Sequence, residues 1–248
     1  MTDPAPRSGA LVRGETFDSV SWEEADLAEA VFEDCVFSDA ALSGANLAAA
    51  RFLRCRLARA NLARADLREA VFDHCLFADP STQSGANLAF ARIDEAVFEG
   101  CDLTHARFEG ADLYAVRFTS CRLLGARFGR ARFHRAFGRK VLRVAAAFHD
   151  CDLALVDLSG VNLAGCDLTG SSLREADLSG ADLSGAMLGR VDLFQAVVDG
   201  ARLTGADLRG AEVSGVDVRR LADYRDLIIA ADQQYRLLDA LGLDVREA

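Results

Sequence analysis

The sequence predicts an all-β, four-sided solenoid closed by a short C-terminal helical cap. Three observations predict it: a five-residue period, one large and one small residue in fixed places of every unit, and the return of like residues every twenty. A period of five fits neither a strand, which repeats every two residues, nor a helix, which repeats every 3.6. Segments such as ANLARADLREAVFDHCLF and EADLSGADLSGAMLGRVDLF show it directly. The large residue of each unit is its centre. Centres run from Phe17 to Phe77, from Leu88 to Phe133 and from Phe148 to Val218, and all are Phe, Trp, Leu, Ile or Val. The position two before each centre is Ala, Cys, Val or Ser, with Glu15 the exception.

The elements follow in chain order. Residues 1–14 read as an N-terminal tail, 15–218 as the solenoid and 219–248 as the cap. Within the solenoid the centre and its small partner point inward, and the other three positions are polar and face water. Phe32, Phe52 and Phe72 are 20 residues apart, and Cys35, Cys55 and Cys75 keep the same step. Twenty residues are four units, so each coil has four sides and like residues stack. Neighbouring strands lie roughly 4.8 Å apart, so about ten coils make a rod on the order of 48 Å long.

Two breaks interrupt the wall, and function concentrates at such places. The first is Ala78–Gly85, ADPSTQSG, where the centres Phe77 and Leu88 are 11 residues apart instead of 10, so one extra residue must bulge out. Pro80, Ser81, Ser84 and Gly85 are turn formers. It is either a tolerated surface loop or a contact. The second is His134–Ala147, which keeps register but puts Gly138 and Arg143 in two centre slots, so the wall must loop out or distort there. Arg127, Arg130, Arg132, Arg135, Arg139, Lys140 and Arg143 cluster here with no acid between Asp112 and Asp150. They form either a solvated basic face or a patch for an acidic partner or nucleic acid.

After Val218 the pattern changes. Leu221, Tyr224, Leu227, Ile228, Ala231, Leu238 and Leu241 follow at helical spacings, with Gly242 as a stop. An open solenoid end needs a cap. The stripe holds more apolar surface than one face can bury, which predicts a two-fold dimer contact.

Composition narrows the function classes. The net charge is −10, yet it is zoned: residues 1–50 carry −8, 51–148 carry +7, 149–218 carry −8 and 219–248 carry −1. The overall acidity argues against direct nucleic-acid binding, which needs a basic field. No stretch reaches the roughly 18 apolar residues of a membrane helix. The start, MTDPAPRSG, has no apolar signal core, so a cytoplasmic location without membrane contact is expected.

No chemistry-bearing constellation stands out. Cys35, Cys55, Cys75, Cys101, Cys121, Cys151 and Cys166 all occupy the small inward position and read as core residues, not metal ligands or disulfides. His74, His105, His134 and His149 lie outside the wall and form no metal spacing with the cysteines. Phosphate loops and nucleophile elbows are absent from the sequence. Carboxylate pairs recur on every coil, so none reads as a glycosidase pair. Neither catalysis nor a cofactor is expected.

The recurring unit resembles the A(D/N)LXX motif of the pentapeptide-repeat proteins from about Phe17 to Val218. The resemblance implies a right-handed quadrilateral β-helix. The breaks resemble those of the Qnr-type branch, which protects DNA gyrase and topoisomerase IV from quinolones. Asp79 opens the first loop, and Gln83, Gly85, Asn87 and Leu88 fall in matching places, with Thr82 where serine is usual. The second break follows at a similar separation. Asp223-Tyr224 then precedes Leu237-Leu238-Asp239-Ala240-Leu241-Gly242, like that branch's terminal segment. The chain departs in its longer C-terminal segment, extended N-terminus and arginine-rich second break. Relatives of similar shape guard gyrase from peptide toxins.

The resemblance implies gyrase or topoisomerase IV as partner, a homodimer through the C-terminal segment, and partial DNA mimicry. The expected partner-binding residues are Asp79, Ser81, Thr82 and Gln83 in the first break and Arg135, Arg139, Lys140 and Arg143 in the second. A 20-residue coil puts Asp157, Asp177 and Asp217 on one outer face and Asp152, Asp192 and Glu212 on the adjacent one. Rows of carboxylates offer the charge that a DNA-binding groove receives. The basic middle zone does not fit a uniformly acidic mimic. The alternative is a structural or adaptor repeat protein with another protein partner.

Overall fold

A computed structural model describes residues 5–79, 81–82, 84–135 and 146–240. The chain coils through four sides per turn. On the first side, strands β1 (Leu11–Arg13), β2 (Val31–Glu33), β3 (Arg51–Leu53) and β4 (Val71–Asp73) stack in parallel. After a short hairpin of β5 (Ala78–Asp79) and β6 (Ser84–Gly85), the stack continues with β7 (Val97–Glu99), β8 (Arg117–Thr119) and β9 (Ala147–His149). These seven strands form one sheet in the order β1-β2-β3-β4-β7-β8-β9. The other three sides are joined by single parallel bridges, such as Val36↔Arg56, Asn46↔Asp66 and Arg107↔Arg127.

The five-residue unit makes a corner because it ends in a tight turn. In most units the residue two after the centre takes positive φ, whether glycine or not: Glu29 has φ 59°, Arg59 58° and His105 55°. On most sides the N–H three after the centre donates to the centre's carbonyl, as in Ala30 to Leu27 at 3.2 Å. That is the geometry of a β-turn with φ > 0 at its third position. The Asp or Asn before the centre ties down the same corner. Asp177 Oδ1 accepts the Ser179 N–H at 2.9 Å, and Asn87 Oδ1 the Ala89 N–H at 3.2 Å. The repeated aspartates are therefore turn caps before they are surface charges.

Centres and their small partners fill a narrow core. Phe32, Phe52, Phe72, Phe98, Phe118 and Phe148 form one column of rings, with successive centroids 4.8–5.0 Å apart. From Leu168 onward leucine takes that column, and the sheet gives way to tight turns.

Three features depart from the sequence reading. The wall begins earlier than residue 15: Gly9 N–H donates to Ala28 O and Leu11 pairs with Val31. Backbone pairing ignores the side chain, so Glu15, wrong for the small slot, still accepts the Val36 N–H through its carbonyl. The first break removes more than one residue. Phe72 pairs with Phe98, 26 positions on, so six residues beyond a coil leave the ladder. Ala86 N–H donates to Phe77 O and closes the hairpin as the second antiparallel layer pairs Ala78 with Gly85. The second break behaves as expected: Phe118 pairs with Phe148, a step of 30, so two whole units leave the ladder and register is kept. Finally, the wall does not stop at Val218. A 3₁₀ turn, Val218–Arg220, adds one residue, and the ladder resumes with Arg202↔Asp223 and Asp207↔Ile228.

The expected helix from Leu221 is correspondingly short. Among the described residues only α1 (Gln234–Ala240) is α-helical, preceded by a 3₁₀ turn at Ala231–Gln233. Upstream of it the open edge of the last full coil offers backbone partners, and pairing with that edge wins over local helix. Gln233 closes the end. Its buried amide donates to Leu208 O and Ala211 O at 2.7 and 2.8 Å, while its oxygen accepts the Ala230 N–H at 2.7 Å.

Candidate partner-binding surface

The two breaks leave the wall at opposite corners. The first lies between Phe77 on the second side and Leu88 on the third; the second lies between Phe133 on the fourth side and Phe148 on the first. They are two coils apart, about 10 Å along the axis.

Each break is held at its root by a charge pair with the wall, and each pair uses a residue expected to touch a partner. Asp79 is buried, forms an ion pair with Arg59, and accepts the Ser81 N–H and hydroxyl at 2.9 and 2.6 Å. Asp79 thus anchors the first loop and does not face outward, and Ser81 is turned back onto it. Thr82 is exposed at the loop tip. At the second root, Arg135 reaches Asp94 at 2.8 Å and Asp112 at 3.2 Å and lies over the Tyr114 ring at 5.3 Å. Asp94 is 5% exposed. A carboxylate so buried must be paired, so Arg135 too is an anchor. Gln83, Arg139, Lys140 and Arg143 lie outside the described residues.

The carboxylate rows are aligned as expected, but they are not equally free. On the second side Asp152, Ser172, Asp192 and Glu212 stack in one ladder. On the third, Arg107, Arg127, Asp157, Asp177 and Val197 do. Asp217 stands one twenty-residue step past Val197 and caps the 3₁₀ turn, accepting the Arg219 N–H. Arginines meet four of the six acids: Arg122 at Asp152, Arg174 at Asp192, Arg219 at Asp217 and Arg236 at Glu212. The Ser214 N–H and hydroxyl, followed by Arg236, pull the Glu212 carboxyl down to about 2. Arg219 holds Asp217 below the usual carboxylate range through its hydrogen bonds. Among the described residues Asp157 and Asp177 alone of the six form no ion pair.

The dimer candidates do not share one helix face. Leu221 is buried in the wall and Leu227 packs against the core. Tyr224, Ile228 and Ala231 are exposed, Leu238 is half-buried, and Leu241 lies outside the described residues. Ile229 and Tyr235, which spacing alone did not single out, are also exposed at this end.

All seven cysteines are buried and free. They are not interchangeable fillers. Cys55, Cys75, Cys101 and Cys121 lie behind the strand side, where each S–H donates to the Phe carbonyl one coil below at 3.3–3.4 Å. Ser171 takes the same column and donates to Phe148 O at 2.8 Å. Cys166 sits in a different column, and burial pushes its thiol up to about 12. No cluster of ligating side chains fit for a metal occurs among the described residues.

Sequence models described as pentapeptide repeats match residues 23–52, 40–79, 151–189 and 186–220, and a related model matches 93–136. The chain belongs to the pentapeptide-repeat family. No curated protein sequence matches this pentapeptide-repeat chain. Among solved structures it is similar to a trypsin-treated form of QnrB1, a plasmid-mediated fluoroquinolone resistance protein. That match has a TM-score of 0.68 and 25% identity, and covers 96% of this chain and 98% of the other. Full-length QnrB1 matches with a TM-score of 0.62 and 26% identity, over 94% and 98% of the two chains. Like these structures, the chain is a repeat β-helix with a short helical end.

Proposed function

We propose that this protein binds DNA gyrase or topoisomerase IV, partly as a DNA mimic, and protects it from a quinolone or a gyrase-targeting toxin. The observation that carries the reading is the likeness to a fluoroquinolone resistance protein over nearly the whole of both chains. The stacked carboxylates of the second and third sides supply the negative surface, and Asp157 and Asp177 supply its unpaired part. The loop residues Ser81, Thr82 and Gln83, with Arg139, Lys140 and Arg143, contribute partner contacts. Asp79 and Arg135 serve by fixing the roots. The protein acts by binding, without catalysis or cofactor, and in the cytoplasm.

The exposed Tyr224, Ile228, Ile229 and Tyr235 favour a homodimer at the C-terminal end. It would set two acidic zones back to back. Light scattering at micromolar concentration tests this, and a monomer refutes it.

The test of the function is a gyrase supercoiling assay with a fluoroquinolone, with and without the purified protein. Restored supercoiling is expected. No protection of gyrase or topoisomerase IV against quinolones or gyrase toxins refutes the reading. The arginines of the middle zone favour, as second reading, an adaptor with another protein partner, and that reading then stands.

A further inference from the structure

The third side changes sign abruptly. Arg107 pairs in the ladder with Arg127, Arg127 with Asp157, and Asp157 with Asp177. None of the four forms an ion pair among the described residues. Two like charges one coil apart, roughly 4.8 Å, repel unless an anion lies between them.

The arginine half of this column is also a built cleft. The root of the first hairpin and the turns of the next two coils enclose about 310 Å³, lined by Ser84, Gly85, His105, Arg107, Gly125 and Arg127. Two glycines shape it. A Cβ on Gly85 would stand 2.4 Å from the backbone of His105 and Ala106, so only glycine lets the hairpin lie this close to the third side. A Cβ on Gly125, at φ +63°, would stand 2.7 Å from His105 Nδ1, so its absence makes room for the imidazole over that turn. The cleft therefore has a hairpin wall, an imidazole between, and two guanidinium groups that form no ion pair among the described residues.

We propose that this cleft binds carboxylate side chains of an acidic segment on a protein partner. Guanidinium groups suit carboxylates because their paired N–H donors match the two oxygens. A phosphate could satisfy the same donors, but a nucleic-acid backbone running along the rod meets Asp157 and Asp177 within the next two coils. One coil from Arg127, Asp157 lies inside the Debye length of about 8 Å. A short acidic loop stops before them. The proposal deepens the partner-binding reading above, since it places an acidic segment of the partner beside the first break.

The test is fluorescence anisotropy with a labelled hexaglutamate peptide and, separately, a labelled DNA duplex. The peptide should bind wild type in a salt-dependent way, and about tenfold or more weaker to Arg107→Gln/Arg127→Gln, as expected when charge-assisted contacts are lost. Arg51→Gln/Arg117→Gln removes two exposed arginines from the first side and should bind like wild type. Matching circular-dichroism melts confirm that both variants fold. Equal peptide binding by wild type and the cleft variant, equal loss in both variants, or preference for duplex overturns the proposal. The supercoiling assay separates the two readings. A wild type that fails to protect gyrase refutes the function but not the cleft; a protecting wild type whose peptide binding ignores Arg107 and Arg127 refutes the cleft alone.

Discussion

Replacing Phe52 by alanine should be among the most damaging single changes in the wall. Phe52 is fully buried and sits between Phe32, at 5.0 Å and 20°, and Phe72, at 4.8 Å and 10°. Phe37 meets it edge-on at 5.8 Å. Truncating a core phenylalanine costs about 3–5 kcal/mol. The upper part of that range is expected, because two stacked pairs are lost, each worth about 0.5–1.5 kcal/mol beyond burial. The site cannot collapse to compensate: the paired strands β2, β3 and β4 hold their coils at fixed spacing. Phe52→Leu should cost less, about 1–2 kcal/mol, since leucine fills the same column at Leu168, Leu188 and Leu208 and overlap is only partly lost. For a chain of this size 1 kcal/mol moves the melting temperature by about 2–4 °C. A drop of roughly 8–20 °C is therefore expected for Phe52→Ala and a few degrees for Phe52→Leu, read by circular dichroism. A melting temperature within about 2 °C of wild type for Phe52→Ala, or equal losses for both variants, would refute the stacked-column account.

Three further outcomes follow from particular contacts. Cys75→Ala should lower stability by up to about 1 kcal/mol, Cys75→Ser should recover it because Ser171 shows that the column accepts a hydroxyl, and Cys166→Ala should be nearly neutral; three indistinguishable melts would remove the role of the S–H donors. Arg135→Ala should cost about 1–3 kcal/mol, below the full buried-pair range because Arg135 is about one-third exposed, and Arg135→Ala/Asp94→Asn should recover much of it, whereas no recovery in urea unfolding would show that Asp94 is not the stranded charge. Because the carboxyl of Glu212 titrates lower folded than unfolded, its tie to Arg236 is fully present above the ordinary glutamate range near 4.3 and is lost as the pH falls toward 2. NMR shifts of the Ser214 and Arg236 amides should therefore move with a midpoint near 2, and a midpoint near 4.3 would contradict the hydrogen bonds that Ser214 and Arg236 make to this carboxylate.

The period of five, the large centres and the small partners determined the solenoid, its four sides and its phenylalanine column. Each is a local rule repeated in every unit, so the linear pattern alone carries it. The carboxylate columns were legible for the same reason: a fixed twenty-residue step turns sequence spacing into spatial alignment. What the pattern could not carry was anything depending on which atoms meet across coils. Asp79 and Arg135 look like exposed loop charges in one dimension, and only folding brings Arg59 to the first and Asp94 to the second. Six residues leave the ladder at the first break because strand β4 pairs with β7, a choice between neighbouring coils that spacing along one strand does not specify. The apolar spacing after Val218 suits a helix equally well, but the open edge of the last full coil supplies backbone partners and draws Ala222–Ile228 into the wall. Gln233 gave no sequence signal at all, since an amide becomes a plug only where two unpaired carbonyls, those of Leu208 and Ala211, are left facing it.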